Sequence, residues 1–330
     1  MTVRASRRNA PVRQALLAGP AIRPGRARFL MRHAKALLGV TFVTFAAIGG
    51  LADAANRPLL RWPDLVKRAR PTPDSTIPYG LDPMHKVDLW LPTGPGPHPV
   101  VLMVHGGCWQ TGIADRHLMD WIAADLRRES VAVWNIDYRG VDRAGGGYPG
   151  TFADAAGAAD ALRTHAAAHR LDTRRVVAVG HSAGGHLALW LAARPKLPKG
   201  SPLHTPDPLP IASVVSLGGL PDLRATARAR DNGCGTAVIR RLVGSGRADP
   251  YADTSIPRLL PIGVPQHLVN GREDRIIPFR MGTNHRARAR AAGDEATLHL
   301  PPRTGHVELI APESAAWAEA KRIILKELGR

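Results

Sequence analysis

Short apolar runs alternate with longer helical stretches along most of this chain, and this alternation limits the folds that it can adopt. Seven runs have the length of a strand and end near glycine, proline or a polar residue: 87–92, 99–104, 131–136, 176–179, 213–217, 267–270 and 297–300. Helical spacing of apolar residues is found at 118–128, 152–169, 183–193 and 314–328. Strands that alternate with helices predict an α/β fold, with a mostly parallel central sheet and helices on both faces.

Two segments interrupt this rhythm. Residues 194–210 contain six prolines, which predicts an irregular loop. Residues 222–261 are rich in Arg, Gly and Pro and have one helical pattern at 236–242. An insertion at this point of the chain would lie over the carboxyl edge of the sheet, so we predict a small lid at 222–261. No internal repeat is visible, and we predict one catalytic domain over 55–330.

The amino terminus has the composition of an export signal. Residues 1–35 carry nine basic side chains and no acidic one, and residues 36–52 are uncharged and mostly apolar. The small residues Ala52 and Ala54 follow on either side of Asp53, as in a signal-peptidase site. We therefore predict a cleaved leader at 1–54, with Met31 as an alternative start, and a secreted or periplasmic protein. An uncleaved helix that anchors the chain to a membrane is the alternative.

Composition excludes several other classes. The net charge is +18, but half of the excess lies in the predicted leader and aromatic residues are only 5% of the chain, which argues against a nucleic-acid partner. After removal of the leader we expect no stable membrane insertion. Two cysteines are too few for a disulfide scaffold. We find no convincing metal-ligand spacing and no phosphate-binding loop, so we predict neither a metal nor a cofactor.

The strongest catalytic motif is Gly180-His181-Ser182-Ala183-Gly184. It follows the strand predicted at 176–179 and leads directly into the helix predicted at 183–193, which is the context that a G-x-S-x-G nucleophile requires. Glycine is needed at both ends because the backbone segments of such a turn come into close contact. We predict that Ser182 is the nucleophile; a tight turn without catalytic function is the alternative.

A second glycine motif follows the strand predicted at 99–104. It reads His105-Gly106-Gly107-Cys108-Trp109, and backbone N–H groups in such a loop can stabilise the negative oxygen that forms when a carbonyl is attacked. Each donor of this kind contributes about 3 kcal/mol to lowering the barrier. We predict an oxyanion hole formed by the N–H of Ala183 together with those of Gly106, Gly107 and Cys108.

A serine nucleophile needs a histidine base and an acid that orients it, in the chain order Ser, Asp, His. His306 follows the strand predicted at 297–300, and Asp274 follows the strand predicted at 267–270, so both lie at the carboxyl edge of the sheet. We predict that they complete a catalytic triad with Ser182. Glu273, adjacent to Asp274, is an alternative acid, and His285 and His299 are alternative bases, although we expect both histidines to be structural or exposed. His181 and His186 flank Ser182; we expect His186 to be a packing residue and Glu308 to be a surface or supporting carboxylate.

Taken together, these motifs resemble the α/β-hydrolase superfamily over residues 75–328. HGGCW at 105–109 is similar to the branch that contains kynurenine formamidase (arylformamidase) and small feruloyl or acetyl-xylan esterases. The resemblance implies the α/β-hydrolase fold, and it implies that His105 and Trp109 support the oxyanion loop. A signal peptide departs from a cytosolic formamidase and disfavours a role in tryptophan breakdown.

The two cysteines fall in regions that this interpretation brings near the site. Cys108 lies in the predicted oxyanion loop and Cys234 in the predicted lid. In an oxidising compartment they could form a disulfide that joins the two, and two unpaired buried thiols are the alternative.

The sequence thus predicts a serine hydrolase that cleaves small to medium carboxylic esters through an acyl-enzyme. Its partner would be a small-molecule ester. An amide hydrolase of the arylformamidase or oligopeptidase kind is the first alternative. The second is a binding protein that keeps the hydrolase scaffold without catalysis.

Overall fold

The computed structural model describes residues 58–330, so the leader predicted at 1–54 lies outside the described residues. Within this range, no helix combines the length and the apolar character that crossing a membrane would require.

An eight-stranded sheet organises residues 58–330. Its strands are β1 (Ser75–Pro78), β2 (Lys86–Trp90), β3 (His98–Val104), β4 (Ala132–Ile136), β5 (Leu171–His181), β6 (Ser213–Leu217), β7 (Gln266–Val269) and β8 (Ala296–His299). The spatial order is β1-β2-β4-β3-β5-β6-β7-β8. Strands β3 to β8 run parallel, whereas β1 and β2 pair antiparallel with each other and β2 pairs antiparallel with β4. The predicted mostly parallel sheet is confirmed.

Helices cover both faces of this sheet. They are α1 (Trp62–Val66), α2 (Asp120–Arg128), α3 (Gly150–Ala166), α4 (Ala183–Ala193), α5 (Leu223–Thr226), α6 (Thr236–Val243), α7 (Arg280–Ala291) and α8 (Ala315–Glu327). Side chains alternate across β3: Leu102 packs in one core cluster with residues of α3 and α4, and Met103 packs in the other with residues of α2 and α8. Because successive strand residues point to opposite faces, a strand buried on both sides is apolar throughout.

The segment before β2 has no periodic apolar pattern in the sequence, yet it contains regular structure. Residues 58–75, which are rich in Pro and Arg, contain α1, and β1 begins at Ser75. Strand β1 pairs with β2 from Ser75 opposite Leu89 to Pro78 opposite Lys86. Residues 75–78 form a strand because they pair with β2, and not because they have an apolar periodicity of their own.

The segment predicted as a lid, 222–261, contains α5, α6 and a 3-10 turn at Ile256–Arg258. Its apolar residues do not stand apart from the body of the domain: Leu223, Ile239, Leu242 and Ile256 are buried in the same cluster as Leu102 of β3. The proline-rich stretch from 197 to 210 contains neither strand nor helix, after a short 3-10 turn at Arg194–Lys196.

Candidate active site

Ser182 lies at the junction between β5 and α4 with a left-handed backbone, φ 55° and ψ −120°. A residue with a side chain rarely adopts a positive φ, and such conformations cluster at functional sites. The amide of Ser182 donates to the carbonyl of Leu217 at 2.8 Å, which fixes the turn against β6. The Ser182 side chain is thus presented at the carboxyl edge of the sheet by strand-turn-helix geometry.

The glycines at both ends of this nucleophile turn (residues 180–184) are sterically required. A Cβ at Gly180 would lie 2.0 Å from the carbonyl oxygen of Gly184. A Cβ at Gly184 would lie 2.2 Å from the carbonyl oxygen of Val104 and 2.4 Å from that of His105. Any side chain at either position would therefore force the backbone apart, and the second contact also brings the loop after β3 next to Ser182.

His306 and Asp274 form a buried pair on two neighbouring loops, after β8 and after β7. Nδ1 of His306 donates to Oδ2 of Asp274 at 2.7 Å. The other carboxylate oxygen, Oδ1, accepts from the backbone amides of Ile276 and Ile277, each at 2.8 Å. Because Nδ1 carries the donated proton, the tautomer that results leaves Nε2 of His306 able to accept one.

Ser182 and His306 line the same cavity, which has a volume of about 430 Å³. Its other lining residues come from several parts of the chain: Trp62, Val66, Gly107, Cys108, Ile113, Ala114, Leu118, His181, Gly233 and Ile276. None of the lining residues carries a carboxylate, an ammonium or a guanidinium group. One hydroxyl and two imidazoles therefore line an otherwise mostly apolar space.

The predicted oxyanion loop, residues 105–109, has an unusual backbone. Gly107, Cys108 and Trp109 follow one another with φ values of 98°, 52° and 55°. The carbonyl of Gly107 accepts from the amide of Gln110 at 2.9 Å, and the carbonyl of Trp109 accepts from the amide of Val141 at 2.7 Å. Trp109 is fully buried. These contacts hold Cys108 and Trp109 in a backbone conformation that residues with side chains rarely adopt.

His105 connects the oxyanion loop to a buried ionic group. Its Nε2 lies 3.0 Å from Oδ1 of Asp137, and its ring stacks on that of Tyr138 with centroids 4.3 Å apart. Nη1 of Arg116 donates to Oδ2 of Asp137 at 3.0 Å. Burial alone would raise the pKa of Asp137, but hydrogen bonds and charges from His105 and Arg116 lower this pKa below its usual value.

The structure brings the two cysteines together, and the sulfur atoms of Cys108 and Cys234 are joined in a disulfide. Next to Cys234, the amide of Gly233 donates to the carbonyl of Ile276 at 2.7 Å. The amide of Ile276 in turn donates to Asp274. One covalent bond and two hydrogen bonds thus connect the oxyanion loop, the segment 222–261 and the loop that carries Asp274.

The sequence did not identify a contribution from the amino-terminal segment. The ring of Trp62 in α1 meets those of His306 and His181 edge-on, with centroids 6.0 and 6.1 Å away. The amide of Leu60 donates to Oε1 of Glu308, whose Oε2 accepts from the amide of Gly305 at 2.9 Å. Glu308 is therefore buried beneath this segment rather than on the surface. In the sequence, the only sign of this contribution is a tryptophan within a stretch rich in proline and arginine.

The other candidate histidines and Glu273 have partners of their own. His181 donates from Nε2 to the carbonyl of His306 at 3.2 Å. Burial together with the charge of His306 lowers the pKa of His181 well below the usual value. His285 bonds Gln266 at 2.8 Å and His299 bonds Glu319 at 3.0 Å. Oε2 of Glu273 accepts from the amide of Thr304 at 3.1 Å.

His186, one turn into α4, is fully buried. Its Nε2 donates to the carbonyl of Thr254 at 2.7 Å, and burial lowers its pKa to about 4. A histidine held neutral in this way packs the helix against the segment 222–261.

Two sequence comparisons extend these observations. Residues 87–286 match the profile of the family described as BD-FAE. A probable isoprenylcysteine alpha-carbonyl methylesterase of Arabidopsis thaliana is 32% identical over 114 residues, which are 34% of this chain and 23% of that protein. One from Oryza sativa subsp. japonica is 31% identical over 114 residues, 34% of this chain and 26% of that protein. The matched stretch spans about a quarter of the length of these curated relatives.

Solved structures share the fold. Esterase B from Lactobacillus Rhamnosis superposes with a TM-score of 0.66 at 17% identity, covering 88% of this chain and 94% of that one. A truncated carbohydrate esterase from gut microbiota gives 0.63 at 18% identity, covering 79% and 98%. Thermogutta terrifontis esterase 2 with bound propionate gives 0.62 at 20% identity, covering 82% and 98%. These similarities confirm the α/β-hydrolase fold.

The buried His186 predicts a pH dependence of stability. Between about pH 6.5 and pH 4 an unfolded chain binds a proton at this imidazole and the folded chain does not, so the free energy of unfolding falls as the pH is lowered. The full effect is about 3 kcal/mol and is reached near pH 4. We expect His186→Gln to reduce the pH slope of the unfolding free energy in urea titrations. His204→Gln, in the proline-rich loop, is the control, and an unchanged slope in His186→Gln would contradict the assignment.

Proposed function

We propose that this chain, which belongs to the BD-FAE family of α/β-hydrolases, is a serine hydrolase that cleaves carboxylic esters. The observation that carries the proposal is the buried Asp274–His306 hydrogen bond, at 2.7 Å, beside the cavity that Ser182 also lines. A strained serine at a strand-helix junction next to an oriented imidazole is the arrangement that nucleophilic catalysis needs.

In this mechanism His306 acts as the base and then as the acid. Its Nε2 takes the proton of the Ser182 hydroxyl as Oγ attacks the ester carbonyl, and Asp274 stabilises the imidazolium that forms. His306 then gives the proton to the departing alkoxide, which leaves as the alcohol, and the acyl group stays on Ser182. A water molecule that loses a proton to His306 attacks the acyl carbonyl. The acid is released and the proton returns to Ser182 Oγ.

The oxyanion that forms in both steps requires hydrogen-bond donors that are already in position. The amide of Ala183 lies at the start of α4, where the helix dipole also favours negative charge. We assign the remaining donors to the amides of Gly106, Gly107 and Cys108, in the loop that the Gly184 contact holds beside Ser182. Such fixed donors stabilise the transition state without having to reorganise.

The cavity supports a preference for uncharged acyl groups of small to medium size. Its walls beside Ser182 come mainly from Trp62, Val66, Ile113, Leu118 and Ile276. Burying a charged acyl chain among them would cost several kcal/mol without a partner. The segment 222–261 borders the same space through Gly233, and we assign it as the cover of this side of the site.

Single substitutions in the triad test the proposal. We expect Ser182→Ala, His306→Ala and Asp274→Asn each to lower kcat/KM for a 4-nitrophenyl ester by about 10³-fold or more, because the three side chains act as one unit. The measurement is initial-rate hydrolysis, with labelling of the wild-type serine by a fluorophosphonate. His299→Gln, a histidine on β8, should retain full activity.

Each alternative function has its own outcome in the same assay. Ester hydrolysis that survives in Ser182→Ala, or a fluorophosphonate adduct on another residue, would contradict the triad. Faster turnover of an N-formyl-aryl or aminoacyl-anilide substrate than of the ester would instead favour an amide hydrolase. A wild-type chain that neither labels nor turns over any substrate would favour the binding protein.

Reduction of the Cys108–Cys234 disulfide should lower activity as well as stability. The disulfide holds a loop with consecutive positive φ values, and its loss frees the oxyanion donors to reorient. We expect kcat to fall about tenfold with a smaller change in KM, in reduced protein that circular dichroism shows to be folded. Cys108→Ser/Cys234→Ser should be equally slow and insensitive to reductant. A reduced, folded enzyme with the original kcat would contradict this role.

We also propose that residues 1–54 direct export to the periplasm or the medium. The disulfide supports this proposal, because such bonds persist mainly in oxidising compartments. Expression of the full chain in a Gram-negative host should give a mature form that begins at Ala55, as determined by amino-terminal sequencing of the periplasmic fraction. Val43→Arg, in the apolar part of the leader, should block export. A full-length chain in the membrane fraction would indicate an uncleaved anchor.

A further inference from the structure

Three potential metal ligands converge outside the triad. Asp88 lies on β2, His117 in the 3-10 turn Arg116–Met119 that follows the oxyanion loop, and Asp120 at the first position of α2. Their nearest ligand atoms, one from each residue, all lie within 4.8 Å of one another. Both carboxylates are fully buried, whereas the side chain of His117 is about one-third exposed. The cluster therefore has a closed inner side and one opening to solvent.

One buried oxygen of this cluster lacks a hydrogen-bond donor. Oδ1 of Asp120 accepts no hydrogen bond from any of the described residues. Both oxygens of Asp88 have partners, because Oδ1 accepts from the hydroxyl of Thr76 at 2.6 Å and Oδ2 lies 2.7 Å from Nε of Arg116. Buried carboxylate oxygens without donors are costly and call for a missing partner.

The charges around the cluster favour a cation as the missing partner. Asp88, Asp120 and Asp137 are three buried carboxylates, and Arg116 is the cation that lies between Asp88 and Asp137. Arg70 approaches Asp120 only to 4.0 Å, from a side chain that is about half exposed. Among the described residues, Asp120 therefore has no guanidinium or ammonium group closer than 4.0 Å, and a bound cation would compensate its charge.

Two of the three separations between the ligand atoms suit a small divalent ion, and the third lies within the 4.8 Å limit of the cluster. Nδ1 of His117 lies 3.3 Å from Oδ2 of Asp120 and 3.6 Å from Oδ2 of Asp88. In a tetrahedral zinc site, bonds of about 2.0–2.2 Å place neighbouring ligand atoms about 3.3–3.6 Å apart. One imidazole and two carboxylates are a normal zinc donor set, and the open side at His117 leaves room for a water as the fourth ligand.

We propose that Asp88, His117 and Asp120 bind a divalent transition-metal ion of the zinc type. The ion has a structural role: it joins β2, the 3-10 turn and α2. Leu118, between two of the ligands, lines the active-site cavity, and Arg116 connects the cluster through Asp137 to His105. The site therefore fixes one wall of the cavity and supports the oxyanion loop without contacting substrate.

The test uses zinc alone on the untagged chain, so that it does not depend on the proposed activity. After dialysis against a chelator, calorimetric titration with Zn²⁺ should show one site of micromolar affinity or tighter, and added Zn²⁺ should raise Tm. We expect both signals to be lost in His117→Gln and in Asp120→Asn. His85→Gln is the matched control, because His85 pairs with buried Asp154 at 3.0 Å without a third ligand.

Asp120→Asn also provides a variant that we expect to fold. It removes a buried charge while it keeps the shape of the side chain, so the metal-free variant should melt no lower than the metal-free wild type. If the wild type binds no zinc, or if His117→Gln and Asp120→Asn bind it as tightly as His85→Gln does, the proposed site is wrong. A stability that responds to pH but not to zinc would show that a proton, not a metal ion, neutralises Asp120.

Discussion

The close backbone contact between the start of α4 and the end of β3 underlies the geometry of the site. Gly184 lies against the carbonyl oxygens of Val104 and His105, and the space between these groups admits no Cβ. The contact sets the distance between two loops that belong to different strands, and thereby the position of the oxyanion loop beside Ser182. Neither loop could adopt this arrangement alone, because each has non-glycine residues with positive φ.

Two buried carboxylates fix the histidines of the site. One carboxylate oxygen of Asp274 accepts from His306 and the other accepts from backbone amides. In Asp137, one oxygen is paired with His105 and the other accepts from Arg116. In each case a carboxylate that would be costly to bury is stabilised by several donors. The imidazoles gain fixed orientations from this arrangement, which is the property that a proton-transfer site requires.

Much of the fold could be predicted from local sequence signals. The apolar runs predicted β2 to β8 to within a few residues because strands buried on both faces leave a continuous apolar pattern. The turn at 180–184 between β5 and α4 could be predicted because its glycines and serine are contiguous. By contrast, β1 and α1 carry no periodic signal, and Trp62 reaches the site only through tertiary packing. The cluster of Asp88, His117 and Asp120 was also missed, because only tertiary packing brings Asp88 next to residues about 30 positions further along the chain.

The position of α1 has a practical consequence for handling this protein. Pro58, Leu60 and Trp62 line a second cavity of about 510 Å³ that shares His306 and Ile276 with the cavity beside Ser182. A purification tag or fusion partner joined just ahead of residue 58 would start at the rim of this cavity and crowd its entrance. The carboxyl terminus lies near the start of β4, where the guanidinium of Arg330 donates to the carbonyl of Ser130 at 3.1 Å. This is the amino edge of the sheet, away from Ser182, and is the better attachment point for immobilisation.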